Sequence, residues 1–292
     1  MSSVVNVNIS FLGQYLRRLK EFKNSGYKFV FLDETYVNVN HQPSREWINK
    51  DGEGRKVPIG KGKRIIVVHA GGDGGFLEGC ECVFTSQHLD GRDYHSEMNS
   101  DIFEDWLIKR LLPSLNEPTC IVMDNASYHS VIHPNFKTPN SSNKKTDLIE
   151  WLHKQNIPCD ATMLKPELIA LVKKHKLPTV YQSDCIIREH GHEVLRLPPY
   201  HCDLNPIELI WSQVKGTVAR RNRDFSLKST AKLTDEAIKE VSVSDWNNAI
   251  AHVDKVVEQY MKNDGVRPRI DNIIIPLNEY SSSSSGSSSD EM

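Results

Sequence analysis

Residues 197–211 read Leu-Pro-Pro-Tyr-His-Cys-Asp-Leu-Asn-Pro-Ile-Glu-Leu-Ile-Trp. This segment is the most informative part of the sequence about the fold. The Asn-Pro-Ile-Glu within it predicts a helix start, with a cap at Asn205, a proline at the first position and Glu208 in the first turn. Apolar residues then recur at helical spacing, so we expect an amphipathic helix with Glu208 at the border of its apolar stripe. Glu208 is therefore either a capping-box residue or a functional carboxylate.

Two aspartates further upstream each end an apolar run that is typical of a buried strand. Asp33 follows residues 29–32 in Phe-Leu-Asp-Glu-Thr, and Asp124 follows residues 121–123 in Val-Met-Asp-Asn-Ala-Ser-Tyr-His. Each aspartate alone is equally well explained as a turn former. Functional sites form at strand ends and helix starts, so Asp33, Asp124 and Glu208 together predict one split metal site.

Carboxylates supply the hard oxygen ligands that Mg²⁺ prefers. Two such ions, roughly 3.5–4 Å apart, can clamp the attacking and leaving oxygens of a phosphodiester. Three carboxylates carry enough negative charge for two Mg²⁺ or Mn²⁺ ions and leave coordination positions open for water and phosphate. The trio therefore predicts metal-dependent phosphoryl transfer.

The three phrases, at residues 32–35, 124–129 and 197–211, resemble the signatures of mariner-like DDE transposase catalytic domains, and they occur in that family's order. This family is a branch of the ribonuclease H-like nucleases, and the resemblance covers about residues 10–262. It implies that Asp33, Asp124 and Glu208 are catalytic metal ligands. It also implies a DNA endonuclease and strand transferase that acts in DNA transposition, integration and recombination.

The resemblance, the strand and helix patterns and the order of the elements predict an α/β fold. We expect a ribonuclease H-like mixed sheet flanked by helices, with a helical insertion before the last catalytic helix. The predicted divisions are an N-terminal helix (1–26), the first part of the core (27–129), an insertion with a helix pair (130–195), the second part of the core with the catalytic helix (196–262), and a C-terminal segment with a disordered Ser-rich tail (263–292).

Three residues beside the acidic trio are candidates for supporting roles. Glu34 is interpreted as a neighbour of the metal ligands or as a solvent-facing group. Asn125 and His129 are candidates for orienting water or phosphate, although a lone histidine is more often a satisfied structural group.

The net charge of −2 is unexpected for a DNA-binding protein, so we looked for local basic regions. Beyond Glu208 the candidates for DNA contacts are Lys215, Arg220, Arg221 and Arg223, and the alternative is a solvated helix face. A second basic region, residues 137–176, contains eight lysines against four acids. It is either a DNA contact or a helical pad packed on the core.

Composition argues against several other classes of protein. No apolar run approaches the roughly 18 residues of a membrane span, so we expect no membrane partner. The resemblance to transposases implies a location in the nucleus. The one-residue gap between Cys80 and Cys82 is poor for zinc chelation. The glycine-rich residues 71–75 lack the Lys-Ser/Thr ending of a phosphate-binding loop and instead predict a hairpin.

Double-stranded DNA is the expected partner, and the resemblance implies a homodimer. The residues that precede Asp33 are too few for the helix-turn-helix modules by which mariner-like transposases recognise their terminal repeats. The chain is therefore a fragment, a truncated copy or a transposase-derived host protein. An active enzyme and a non-catalytic DNA- or protein-binding descendant both remain open, as does a sequence-nonspecific ribonuclease H-like nuclease.

Overall fold

A computed structural model describes residues 2–43, 58–85 and 98–265. The strand that the sequence predicts over residues 45–49 and the Ser-rich tail lie outside these ranges. The described strands form one mixed sheet of six, in the order β3-β2-β1-β5-β6, with β4 paired to β2. The strands are β1 (Lys28–Asn38), β2 (Arg64–Gly72), β3 (Gly75–Phe76), β4 (Cys82–Thr85), β5 (Thr119–Met123) and β6 (Glu193–Arg196).

The sheet has an antiparallel half and a parallel half. Strand β2 runs antiparallel to β1, β3 and β4, and the two glycine-rich strand ends of β2 and β3 meet in the predicted hairpin, with Gly72 opposite Gly75. Strand β5 runs parallel to both β1 and β6. All five residues of β5 are buried, as expected for a central parallel strand with both faces covered.

Helices cover both faces of the sheet. One face packs against α1 (Ser2–Asn24), α6 (Ile207–Arg221), α7 (Leu227–Lys239) and α8 (Val243–Gly265), with Trp211 and Trp246 at the centre of that core. The other face packs against α2 (Ser100–Trp106), its π-helical continuation (Leu107–Leu111) and a 3-10 turn (Leu112–Ser114), together with α5 (Gln182–Glu189). Short 3-10 turns also occur at Pro134–Phe136 and Cys202–Leu204.

The sequence predicts an amphipathic helix over residues 99–115, capped by Ser100 or Asn99. Asn99 is the cap, because its side chain accepts a hydrogen bond from the Ile102 N–H at 3.0 Å. The predicted cap of α6 is wrong. Pro206 precedes the first helical residue, and the Asn205 amide instead donates to the Leu32 carbonyl at 3.4 Å. Asn205 is buried against β1, where its side chain satisfies the strand rather than the helix.

The residues between β5 and α6 contain the predicted helix pair, α3 (Lys145–Lys154) and α4 (Lys165–Lys174). This pair has a small apolar core of its own, formed by Leu148, Leu152, Leu168 and Val172, separate from the two cores of the sheet. Helix α5 and strand β6 follow within residues 130–195, and both belong to the sheet layer. The part that projects from the sheet therefore ends before α5 begins.

No helix among the described residues combines the length and the apolar character needed to cross a lipid bilayer.

Candidate active site

The parallel pairing of β1 and β5 brings Asp33 and Asp124 together. Phe31 on β1 pairs with Val122 on β5, and each aspartate lies two residues beyond its member of that pair. Strand β5 ends at Met123, so Asp124 begins the loop at the carboxyl end of the strand, whereas β1 continues past Asp33 to Asn38. The two carboxylates therefore lie side by side, just beyond the last paired residues of the parallel strands β1 and β5.

Helix α6 brings Glu208 to the same part of the sheet. Two contacts hold its start against β1: the Asn205 amide donates to the Leu32 carbonyl, and the Trp211 Nε1–H donates to Asp33 Oδ2 at 3.1 Å. Glu208 is in the first turn, where the positive end of the helix dipole favours a carboxylate.

Asp33, Asp124 and Glu208 line one cavity of about 200 Å³. Its other walls include Asn125, the turn at residues 197–202 and Asn205. Within the described ranges, no three His, Cys, Asp or Glu side chains lie close enough together to coordinate one metal ion in their present positions. The three acids therefore share a cavity and remain apart within it, as mutual repulsion among carboxylates favours.

Burial and neighbouring carboxylates both oppose ionisation in this cavity. Burial raises the pKa of Asp33 well above its usual value, and the charges of Glu34, Glu208 and Asp124 raise it further. Burial also raises the pKa of Glu208, against the lowering effect of Lys215. A cation in this cavity would relieve the repulsion, so the three carboxylates and their charge fit a hard divalent ion.

Asp124 differs from the other two acids because His129 holds it. His129 is buried and bridges two carboxylates, with Nδ1 2.7 Å from Asp124 Oδ1 and Nε2 2.9 Å from Glu34 Oε1. Burial lowers the pKa of His129, but the charge of Glu34 and the bond to Asp124 raise it to about 9. Burial raises the pKa of Asp124, yet the bonds from His129 and the Ala126 N–H leave it below its usual value.

This bridge gives Glu34 and His129 a defined place behind the cavity. The hydrogen bonds from the Ala126 N–H and from His129 both reach Asp124 Oδ1. The other carboxylate oxygen, Oδ2, is therefore the one that could bind a metal ion. Glu34 also accepts a hydrogen bond from the Tyr128 hydroxyl at 3.2 Å. The Asn125 amide donates to the Leu197 carbonyl at 2.6 Å, so it ties the loop after β5 to the turn that leads to α6.

Sequence reasoning missed Arg196, the residue with the most hydrogen bonds near the site. Its guanidinium donates to Asp184 Oδ1, to the carbonyls of Asp124 and His129, and to two serine hydroxyls. It also stacks 4.2 Å from the centre of the Tyr181 ring. These partners are distant in sequence, and a single arginine at the end of a short strand gives no local signal of them.

The four basic residues proposed for DNA contacts lie in different surroundings. Lys215 is two helical turns beyond Glu208, hence on the same side of α6, with Nζ 5.5 Å from the centre of the exposed Tyr36 ring. Arg221 forms an ion pair with Glu240, which partly neutralises it. Arg220 and Arg223 are exposed, and Arg220 donates to Thr217 Oγ1 at 3.0 Å.

Comparison with known proteins identifies one family and one group of solved structures. A family model described as DDE superfamily endonuclease matches residues 28–232. The Mos1 transposase paired-end complex with left transposon end is 14% identical, with 89% of this chain and 62% of that chain covered and a TM-score of 0.55. The Mos1 mariner paired-end complex with Mn is 14% identical, with 88% and 61% covered and a TM-score of 0.54.

The Mos1 strand transfer complex is 16% identical, with 88% of this chain and 60% of that chain covered and a TM-score of 0.51. At such identities the likeness is one of fold, and the predicted mixed sheet flanked by helices is confirmed. The chain spans about three fifths of the length of these matched chains.

Proposed function

Because the chain belongs to the DDE superfamily endonucleases, we propose that it cuts and joins DNA with Mg²⁺ or Mn²⁺ held by Asp33, Asp124 and Glu208. The observation that carries this proposal is the cavity itself. Three carboxylates from β1, the loop after β5 and the first turn of α6 line it together, and no lysine or arginine is among the residues that line it.

The residues have separable tasks in this proposal. His129 holds Asp124 Oδ1 and leaves Oδ2 to bind, and Trp211 fixes the orientation of Asp33 through Oδ2. Glu208 is exposed on the open side of the cavity, so it can complete the ligand set without a change in the sheet. Two bound ions would activate a water molecule and stabilise the leaving 3′ oxygen of the DNA.

The same arrangement serves two reactions. When water attacks, the phosphodiester is hydrolysed, and when a DNA 3′-hydroxyl attacks, two strands are joined. Neither reaction needs a covalent bond to the protein. We propose that the enzyme acts on double-stranded DNA in the nucleus and works as a homodimer, by analogy with the Mos1 complexes, whose names specify paired transposon ends and strand transfer.

A plasmid nicking assay with Mg²⁺ or Mn²⁺ tests this proposal. We expect Asp124→Ala to reduce the nicking rate by at least 100-fold, because it removes a ligand, and the exposed Asp73→Asn to leave it unchanged. Equal nicking by the wild type and Asp124→Ala would contradict the proposal. No nicking by the wild type would favour the non-catalytic binding protein, and preferential cutting of RNA–DNA hybrids would favour a ribonuclease H-like nuclease.

A further inference from the structure

The helix pair projects from the sheet on a narrow base. Two backbone hydrogen bonds, from the His133 N–H to the Val180 carbonyl and from the Gln182 N–H to the Val131 carbonyl, join the entering and leaving chains. The isolated bridge between Ile132 and Tyr181 lies between them. We call this base the stalk (residues 131–133 and 180–182) and the part beyond it the helix-pair module (residues 134–179).

The module is not a pad packed on the main core. Its buried residues contact each other across α3 and α4 and form a cluster separate from those on either face of the sheet. A small unit that buries its own apolar side chains does not need the sheet to cover them. Its outer surface is therefore free to bind something else.

That surface is basic. Residues 137–176 contain eight lysines and four acids, and three of the acids accept backbone hydrogen bonds within the module. Asp160 accepts one from the Thr162 N–H at 2.8 Å. Asp147 accepts a hydrogen bond from the Lys144 N–H, and Glu167 accepts one from the Leu164 N–H, so both carboxylates cap helix starts. No module lysine forms an ion pair with any residue in the described ranges.

A groove runs between the loop before α3 and the end of α4. Its volume is about 390 Å³. Half of its lining residues are apolar, and the others are Lys173, Lys176 and four small polar side chains, Thr138, Asn140, Ser141 and Thr179. Lysines with nearby hydroxyl and amide groups form the kind of surface that contacts phosphate oxygens without reading bases.

The stalk connects this groove to the active site. Arg196 donates to the His129 carbonyl, in the loop that begins with Asp124, and stacks on Tyr181 of the stalk. The module is therefore attached to the sheet beside the loop that begins with Asp124.

We propose that the helix-pair module is a DNA-backbone binding site, which contacts the duplex through Lys173, Lys174, Lys176 and the polar side chains of the groove. This inference rests on the proposed function only in taking DNA as the substrate. According to this inference, the module contributes part of the binding free energy for DNA. This contribution does not depend on DNA sequence and decreases as the salt concentration rises.

The test compares two triple variants of the full chain with equal net charge. The module variant is Lys173→Gln, Lys174→Gln and Lys176→Gln. The control variant is Lys20→Gln, Lys255→Gln and Lys262→Gln. These three control lysines are exposed on α1 and α8 and form no ion pair in the described ranges. Binding to a labelled 30-base-pair duplex is measured in EDTA, where no cutting occurs, at several concentrations of KCl.

We expect the module variant to bind about 10-fold more weakly at roughly 100 mM salt, with a slope of log affinity against log salt that is smaller by about 2–3 units. The control should match the wild type. Thermal unfolding checks that both variants are folded.

The inference would be overturned if the two triple variants bound the duplex with the same affinity and the same salt dependence. It would also be overturned if the wild-type protein clearly preferred single-stranded RNA to the duplex. Because the assay measures binding without metal, its result is independent of nicking. Normal nicking by the wild type with no effect of the module lysines on binding would refute this inference and leave the proposed function intact.

Discussion

At the scale of single residues, the raised pKa of Asp33 predicts that this carboxylate lowers the stability of the protein when no cation is bound. Its pKa is raised by burial and by three neighbouring carboxylates, so ionised Asp33 opposes folding. We expect Asp33→Asn to raise the melting temperature without metal by about 2–4 °C, near 1 kcal/mol. Asparagine can still accept the hydrogen bond from Trp211. The measurement is calorimetry in EDTA at pH 7.

The stability gain from Asp33→Asn should increase as the pH rises. A carboxyl whose folded-state pKa is raised stabilises the protein below its unfolded pKa, and this stabilisation is lost as pH rises through the folded value. The advantage of Asp33→Asn should therefore grow between pH 4 and pH 7. An advantage that shrinks over this range would show that Asp33 is not under repulsion.

His129 should give the opposite kind of pH dependence. Its pKa of about 9 lies above the usual 6.5, so its ion pairs with Glu34 and Asp124 stabilise the fold fully below pH 6.5 and are lost as pH rises through about 9. We expect the free energy of unfolding of the wild type to fall between pH 7 and pH 10 relative to that of His129→Gln.

Tyr128→Phe is the matched control for this comparison, since it removes only one hydrogen bond to Glu34. It should keep the pH dependence of the wild type. Parallel curves for the wild type and His129→Gln would mean that His129 is neutral in the folded protein.

Residues that follow a recognisable element could be predicted, and residues that act across the fold could not. Asp33 and Asp124 were found because each ends an apolar run, and Glu208 because it follows Asn-Pro-Ile. Placing them around one cavity required the pairing of β1 with β5. The bridge from Glu34 to His129 and the contacts of Arg196 join residues far apart in sequence, and no spacing or composition indicates them.

At the scale of elements, Asn222 connects the end of α6 to the residues that directly follow β1, the strand that carries Asp33. It is buried after the last residue of α6, and its amide donates to the carbonyls of Val39 at 2.7 Å and His41 at 3.1 Å. We expect Asn222→Ala to lower the free energy of unfolding by about 3 kcal/mol, because the carbonyls of Val39 and His41 each lose a donor and the Phe225 N–H loses its acceptor. Urea unfolding measures this.

The exposed Asn247→Ala on α8 is the control, and it should change stability by less than about 0.5 kcal/mol. A loss for Asn222→Ala no greater than that of the control would mean that α6 is held to β1 by apolar packing alone. Because α6 also carries Glu208, we expect Asn222→Ala to weaken metal binding as well.

Elements with strong local signals were predicted well. Strand β5 is a continuous apolar run, and α2 begins with the capping residue Asn99. The same capping signal at Asn205 was misleading, because a buried strand carbonyl at Leu32 competes for that side chain. The change from α2 into a π-helical turn at Leu107–Leu111 had no recognisable signal in the sequence.

At the scale of the whole molecule, the candidate metal ligands come from three elements that only the complete fold brings together. A bound ion should therefore stabilise the domain as a unit. At a free Mn²⁺ concentration about 100 times the dissociation constant, the expected gain is about 2.7 kcal/mol, a rise in melting temperature of roughly 5–10 °C. Differential scanning fluorimetry with increasing Mn²⁺ measures it.

Asp124→Asn should abolish most of this rise, because it removes an anionic ligand while keeping a similar shape. The exposed Asp73→Asn should retain it. An equal rise in all three proteins would place the metal somewhere other than this cavity.

The narrow stalk has a practical consequence for engineering. Its two segments lie side by side, joined by the bridge between Ile132 and Tyr181 and by two backbone hydrogen bonds, so the two ends of the module are close together. Lengthening a loop between fixed ends adds little entropic cost, about 0.6 kcal/mol for each doubling. A fluorescent reporter with adjacent termini, grafted in place of residues 134–179, should therefore leave the sheet intact and offer a way to follow the protein in living cells.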